Sequence, residues 1–142
     1  MVVSYNSHAF SGDITKRFKY ALFVICYNMN EQEGVLIDNI NEFYRNAVSS
    51  EAKKDYNTAV TLYFKALAVL ADLYILRKEG KIPSSHSERF RILEEKYADI
   101  YKILDKDFLD YQNSYKLKLN KDICEVLKND AERLFEILGI NK

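Results

Sequence analysis

Residues 58–79 read TAVTLYFKALAVLADLYILRKE, and this stretch decides the fold class. Helical steps of three, four and seven residues place its few polar side chains on one narrow stripe. The rest of the circumference is apolar until Arg77. A surface helix needs only one apolar face, so the pattern predicts a central helix with neighbours on several sides. The stripe consists of Thr58, Thr61, Lys65, Ala68, Asp72 and Glu79.

Lys65 and Asp72 are the informative positions on this stripe. A charge near a core must be paired or must reach water. The stripe therefore predicts a groove, a polar network or an interface with a second copy of the chain. The alternative is that Lys65 extends its methylene stem along the helix and places its ammonium group in solvent.

The composition indicates one globular domain. At 142 residues, 48% of them apolar, the chain can bury a core without disulfides or metals. Its 21 basic and 21 acidic residues balance, so any site for a polyanion must be local. Cys26 and Cys124 lie far apart, without CxxC spacing or a neighbouring histidine. This pattern predicts no metal site and buried thiols in a reducing cytosol.

Targeting signals and cofactor motifs are missing from the sequence. The N-terminus, MVVSYNSHAF, lacks the basic and apolar regions of a secretory signal. No stretch approaches the ~20 uncharged residues of a membrane span. The sequence contains no Walker A, GxGxxG, GxSxG or HExxH motif. We therefore expect a cytoplasmic protein that uses no cofactor and contacts no membrane.

Helical spacing recurs along the rest of the chain, and one proline and four glycines leave few turns. Residues 1–12 have no period and predict a flexible tail, followed by a single helical domain over residues 13–142. A polar stretch around Asn28–Gly34 leaves open whether residues 13–53 form one helix or two. Asp13 can cap the start of this region.

The turn after the central helix starts a new helix. Gly80 ends the central helix, and Pro83 prevents its continuation. Ser85 and Glu88 form a capping box, which makes His86 the first helical residue.

Two further helical segments follow. The new helix buries one face, and residues 105–119 either extend it or form a loop over the bundle. Asn120 can cap a final helix that Gly139 closes. The face of the new helix consists of Phe90, Leu93, Tyr97, Ile100, Tyr101 and Leu104.

His86 and the basic residues around it form the candidate site. At a helix N-terminus, a histidine lies beside unpaired N–H groups that disfavour the imidazolium and can bind phosphate. The window 77–91 holds five basic residues and two acidic ones, an excess of three positive charges. The alternative is a capping turn whose basic residues only complement a helix C-terminus. The candidate phosphate-binding residues are Arg77, Lys81, Ser85, His86, Arg89 and Arg91.

From about Asp55 onward the chain resembles the HEPN domains (higher eukaryotes and prokaryotes nucleotide-binding). The resemblance rests on DYNTAVTLYFKALAVLADLYILRKEGKIPSSHSERFRIL and on the closing helix KDICEVLKNDAERLFEIL. It implies an antiparallel up-and-down bundle of four or five helices that is usually dimeric. It also implies a nucleotide or RNA ligand and, often, a minimal nucleotidyltransferase partner.

Some HEPN proteins are metal-independent ribonucleases with an Arg-x4-6-His motif. Here Arg77 and His86 enclose eight residues, so the sequence departs from that motif. The resemblance therefore favours a binding module. The alternatives are a ribonuclease in which His86 is the general base and Arg77 stabilises the phosphorane, and a structural homodimer joined at Lys65 and Asp72.

Overall fold

The computed structural model describes residues 13–142, and over this range the chain is helical and contains no strand. The all-α class predicted from the sequence is therefore confirmed. The predicted tail, residues 1–12, lies outside the described residues. The helices are α1 (Ile14–Ala52), α2 (Tyr56–Glu79), α3 (His86–Lys96), α4 (Ala98–Asn113) and α5 (Lys121–Leu138).

α1 is one continuous helix, which resolves the question left open for residues 13–53. Asp13 accepts a hydrogen bond from the backbone N–H of Thr15, in agreement with its predicted role at the start. Gly34 lies in the helix interior and does not interrupt it. The chain divides into two compact units within α1, the first ending at Gln32 and the second comprising Glu33–Lys142.

α2 is the core helix of the second unit, as its sequence predicts. It packs against α5 and α4, and large side chains such as Tyr63 and Leu70 are fully buried. α2 is also long enough and apolar enough to cross a membrane. In this structure 72% of its apolar window is buried inside the protein, as in a core helix.

The predicted helix caps are present, with one change in detail. Ser85 Oγ accepts a hydrogen bond from Glu88 N at 3.1 Å, and Asn120 Oδ1 accepts one from Ile123 N at 3.1 Å. Glu88 does not return the bond to Ser85. Its carboxylate instead accepts from Ser84 N and Ser84 Oγ, both at 2.7 Å, because the turn brings Ser84 closer. These bonds hold the pKa of Glu88 at about 2.

The prediction of one helix from Phe90 through Leu104 is wrong in one respect, because the helix breaks at Tyr97. Tyr97 has φ −134° and ψ 61°, outside the helical region, and separates α3 from α4. Its hydroxyl donates a hydrogen bond to the Glu79 carboxylate at the end of α2, which holds the tyrosine away from a helical path. Of the two alternatives for residues 105–119, helix continues to Asn113 and an irregular connector follows.

The link between α1 and α2 is short and contains one unusual backbone angle. Lys54 has a φ of +63°, in the left-handed region. Among the described residues it is the only residue other than glycine with a positive φ. Its side chain is exposed.

Candidate functional site

Arg89 is a buried member of an ion pair with α2. Its Nε and Nη2 donate to the two carboxylate oxygens of Asp72, each at 2.7 Å. Burial raises the pKa of Asp72, and the Arg89 guanidinium opposes that shift without cancelling it. Arg89 Nη1 lies 2.8 Å from His86 Nδ1. All three guanidinium nitrogens therefore have partners inside the protein.

The contact with Arg89 fixes the protonation state of His86. A guanidinium can only donate, so His86 Nδ1 accepts and the ring proton resides on Nε2. Burial and the Arg89 charge lower the pKa of His86 below its ordinary value. The ring is therefore neutral at physiological pH and offers an N–H donor rather than a base.

The other basic residues of the candidate site point elsewhere. Arg77 Nε donates to Glu33 Oε1 at 2.9 Å, and its Nη1 donates to the Leu138 carbonyl at 2.7 Å. Arg91 pairs with Glu95 at 3.1 Å on the outer face of α3. Lys81 Nζ lies 3.4 Å from Glu88.

The local excess of positive charge is thus neutralised by carboxylates that lie outside the window. Glu33, Asp72 and Glu95 all lie outside the window 77–91 and pair with its arginines. Their three negative charges equal the excess of three. The structure brings Arg89 and Ser85 to His86 but gives Arg77 and Arg91 different neighbours.

The polar stripe of α2 is likewise divided. Asp72 is buried in the ion pair with Arg89, which is the polar network among the alternatives given above. Lys65 is exposed and places its ammonium group 5.7 Å from the centre of the Phe43 ring. The two side chains therefore do not line a common groove.

A cavity of about 600 Å³ lies beside His86. Tyr111 forms part of its wall, and its ring stacks on Phe64 with centroids 4.7 Å apart and 17° between planes. Tyr115 is 73% exposed, and its hydroxyl lies 3.0 Å from that of Tyr111. Ring faces, side-chain amides, an imidazole and an ammonium group are thus combined in one cavity. The lining residues are His86, Phe108, Leu109, Tyr111, Gln112, Asn113, Tyr115 and Lys116.

The connector between α4 and α5 forms one side of this cavity, and one asparagine holds it in place. Asn57 Nδ2 donates to the carbonyls of Ser114 at 2.8 Å and Leu117 at 2.6 Å. Asn57 Oδ1 accepts from Leu119 N at 3.0 Å. A single side chain on α2 therefore satisfies three backbone groups of an irregular segment.

The connector also carries unneutralised positive charge. Residues 114–121, SYKLKLNK, hold three lysines and no acidic residue. Within residues 13–142, Lys116 and Lys118 have no carboxylate within 4.0 Å, in contrast to the arginines around His86. The sequence left this segment as helix or loop and indicated no site residue in it, although two tyrosines and three lysines lie close together between Tyr111 and Lys121.

A second cavity, of about 560 Å³, lies near the end of α1 and the start of α5. Glu51 lies on its wall and already binds Tyr63 Oη and Lys128. Apart from Tyr56 it offers no aromatic ring, and it has no histidine. The cavity beside His86 is therefore the better candidate for an organic ligand.

Asp107 on α4 is a buried acid outside both cavities. It is completely buried, and Lys106 Nζ lies 3.6 Å from its Oδ1 and 2.7 Å from Asp130 Oδ2. Burial, followed by the nearby Asp130 charge, raises the pKa of Asp107 to about 8. Within residues 13–142 neither carboxyl oxygen of Asp107 has a hydrogen-bond partner, which agrees with a protonated carboxyl group. Over residues 13–142, no group of three or more potential metal ligands is present.

Comparison of the chain with protein-family models, with curated proteins and with solved structures finds no significant match. The resemblance to the HEPN family therefore stays a hypothesis.

Proposed function

We propose that the protein is a HEPN-like binding module that holds a nucleotide, free or within a single RNA strand, in the cavity beside His86. The observation that carries the proposal is the combination of aromatic rings, amides, a neutral imidazole and an unpaired lysine in one cavity. Its volume of about 600 Å³ lies in the usual range for small-molecule sites.

Each wall of the cavity matches one part of a nucleotide. Tyr115 offers an exposed ring on which a base can stack, and such stacking tolerates any base. The amides of Gln112 and Asn113 can donate to and accept from a base edge. Lys116 provides a positive charge for phosphate, and His86 provides an N–H donor.

This proposal changes the expected ligand contacts. Arg77, Arg89 and Arg91 are engaged within the protein, so Lys116 replaces them as the phosphate partner. Because few cations contribute, affinity should fall with salt less steeply than for an arginine-rich site. A nucleotidyltransferase partner stays a prediction of the resemblance.

The test is titration calorimetry with the four ribonucleoside monophosphates and with short single-stranded homopolymers. We expect Tyr115→Ala to weaken binding by about 5- to 100-fold through lost stacking. Lys116→Ala should weaken the binding of nucleotides more than the binding of nucleosides, which carry no phosphate. Arg91→Ala, which removes an exposed arginine from α3, is the matched control and should bind normally.

Two outcomes would contradict the proposal. Absence of binding to any nucleotide or oligonucleotide excludes the ligand class. Binding that survives both Tyr115→Ala and Lys116→Ala places the ligand at another site. Binding of homopolymers without binding of monophosphates would identify RNA as the source of the nucleotide.

A metal-independent ribonuclease is the second candidate, and one contact favours it. The guanidinium of Arg89 lies 2.8 Å from the imidazole of His86, so an arginine and a histidine do meet, although the arginine is not Arg77. To protonate the leaving oxygen as a general acid, His86 must first take up a second proton on Nδ1 and give up its contact with Arg89. Cleavage should persist in EDTA and disappear in His86→Ala. RNA that binds and remains intact would exclude this activity.

A further inference from the structure

Three lysines line the cavity near the end of α1. Lys54 lies in the link between α1 and α2, whereas Lys121 and Lys128 lie on α5. These two are seven residues apart, which is about two helical turns, so they share one face of α5. The cavity has a volume of about 560 Å³, and Glu51 is the single carboxylate of its lining.

A smaller cavity adjoins this one. Its volume is about 160 Å³, and Lys54 and Tyr56 line both cavities. The smaller cavity adds Lys118 from the connector between α4 and α5. Asn57 bonds the connector backbone on either side of Lys118, so this lysine extends from a fixed segment. Together the two cavities are lined by four lysines.

Two of these lysines lie near carboxylates. Lys128 Nζ lies 3.4 Å from Glu51 Oε2, and the same oxygen accepts a hydrogen bond from Tyr63 Oη at 2.6 Å. Lys121 Nζ lies 3.4 Å from Glu125, which does not line either cavity. The pair of Lys121 and Glu125 is exposed, and exposed pairs of this kind contribute little.

The other two lysines have no carboxylate partner. Over residues 13–142, no carboxylate oxygen lies within 4.0 Å of Lys54 or Lys118. Asp55, the carboxylate in the lining of the smaller cavity, is exposed. Four lysines against the two lining carboxylates, Glu51 and Asp55, leave an excess of two positive charges.

The backbone of Lys54 is unusual for a lysine. Its φ of +63° strains an L-amino acid and does not strain glycine. Strained conformations of this kind occur preferentially at functional sites. Lysine at this position places a cationic side chain where the two cavities meet, which glycine could not do.

We infer that the two cavities form one site for an anion with two or more phosphate groups, such as pyrophosphate or tripolyphosphate. An ammonium group binds phosphate as a point charge, whereas planar carboxylates are matched best by the fork of an arginine. Among the described residues, no arginine lines either cavity. Several phosphates can contact separate lysines at once. This site goes beyond the proposed function and is independent of the cavity beside His86.

Titration calorimetry with sodium phosphate, pyrophosphate and tripolyphosphate tests this site. We expect affinity to rise in that order, because each added phosphate can reach a further lysine. Citrate, whose charge is close to that of pyrophosphate at neutral pH, should bind more weakly than pyrophosphate because its carboxylates are planar.

Lys54→Gly is the sharpest variant, because glycine accepts the left-handed backbone and the protein should therefore still fold. Loss of the ammonium group should weaken tripolyphosphate binding about 3- to 10-fold, and Lys118→Ala should have a similar effect. Lys102→Ala, which removes an exposed lysine of α4 outside both cavities, is the matched control and should bind normally. Binding of ribonucleoside monophosphates should be unchanged in Lys54→Gly, so failure of this site and failure of the nucleotide site are distinguishable.

Three results would overturn the inference. The first is a wild-type protein that does not bind tripolyphosphate. The second is tripolyphosphate binding by Lys54→Gly and Lys118→Ala that is as tight as binding by Lys102→Ala. The third is citrate binding at least as tight as pyrophosphate binding, which would leave only a general attraction between charges.

Successive phosphates of an RNA strand offer the same chemistry as a free polyphosphate, and competition separates the two sources. A saturating single-stranded homopolymer that displaces tripolyphosphate would support the site with an RNA strand as the source of phosphate. Tripolyphosphate that binds equally well beside the homopolymer would support the site with the free anion as its ligand.

Discussion

Arg89 uses its guanidinium group for stability rather than for ligand binding. Two nitrogens bind the Asp72 carboxylate and the third contacts His86, at distances of 2.7, 2.7 and 2.8 Å. The pair with Asp72 is buried, and loss of one partner leaves the other as an uncompensated buried charge. The arginine predicted from sequence as a phosphate ligand is thus a structural residue that also sets the tautomer of His86.

We expect Arg89→Ala to lower the free energy of unfolding by about 3–5 kcal/mol because it leaves Asp72 buried without a partner. Arg91→Ala removes an arginine two residues away whose ion pair is exposed, and should cost less than about 1 kcal/mol. Urea denaturation measures both. If Arg89→Ala fails to fold, Arg89→Lys, which loses the bidentate geometry, should fold with reduced stability. Equal losses for Arg89→Ala and Arg91→Ala would contradict the buried pair.

At this scale the sequence predicted local features and missed distant partners. Ser85, Asn120 and the left-handed Gly80 and Gly139 follow from rules that span three or four residues. The partner of Arg77 is Glu33, 44 residues away, and no local pattern indicates that pair. The i,i+4 spacing of Arg91 and Glu95 follows a local rule, whereas Glu33 and Asp72, the partners of Arg77 and Arg89, could not be predicted.

Among the elements, the connector between α4 and α5 is held in place by hydrogen bonds from α2. Asn57 makes three hydrogen bonds to its backbone, and the connector presents Tyr115 and Lys116 to the cavity. No glycine or proline occurs between Asp105 and Asn120, so the sequence did not show where helix ends and connector begins. The break at Tyr97 was missed because no glycine or proline lies near that residue either.

We expect Asn57→Ala to destabilise the protein by about 2–3 kcal/mol, because each of three hydrogen bonds contributes roughly 1 kcal/mol. Hydrogen exchange should become faster at the Leu119 amide, which loses its acceptor. Asn46→Ala is the matched control, since Asn46 makes a single exposed bond to the Glu42 carbonyl within α1. Unchanged exchange at Leu119 in Asn57→Ala would show that the connector holds its shape without this side chain.

For the whole molecule, the titrations of His86 and Asp107 act on stability in opposite directions. The pKa of His86 is lowered, so the unfolded chain takes up that proton first, and stability is lost as pH falls below about 6.5. The pKa of Asp107 is raised from 3.8 to about 8, so the folded protein holds this proton more tightly than the unfolded chain does. The stabilisation that results is fully present below pH 3.8 and is lost as the pH rises to about 8. The balanced net charge of the sequence gave no indication of either effect.

We therefore expect Asp107→Asn to change the pH profile of stability. The amide keeps a donor toward Asp130 but does not titrate, so the decline between about pH 4 and 8 should become shallower. Urea denaturation of both proteins at about pH 5 and pH 9 measures the change, with Asp99→Asn as a control near the start of α4. A parallel shift at both pH values would contradict a raised pKa for Asp107.

The left-handed backbone of Lys54 has a consequence for engineering the thermal tolerance of the protein. The left-handed conformation costs an L-amino acid about 1 kcal/mol of folding free energy, and glycine does not have this cost. Because the Lys54 side chain is exposed and forms no ion pair within the described residues, Lys54→Gly should raise the melting temperature by a few degrees. Calorimetry with Lys53→Gly as the comparison, which should instead melt earlier, would test whether this one angle limits heat resistance.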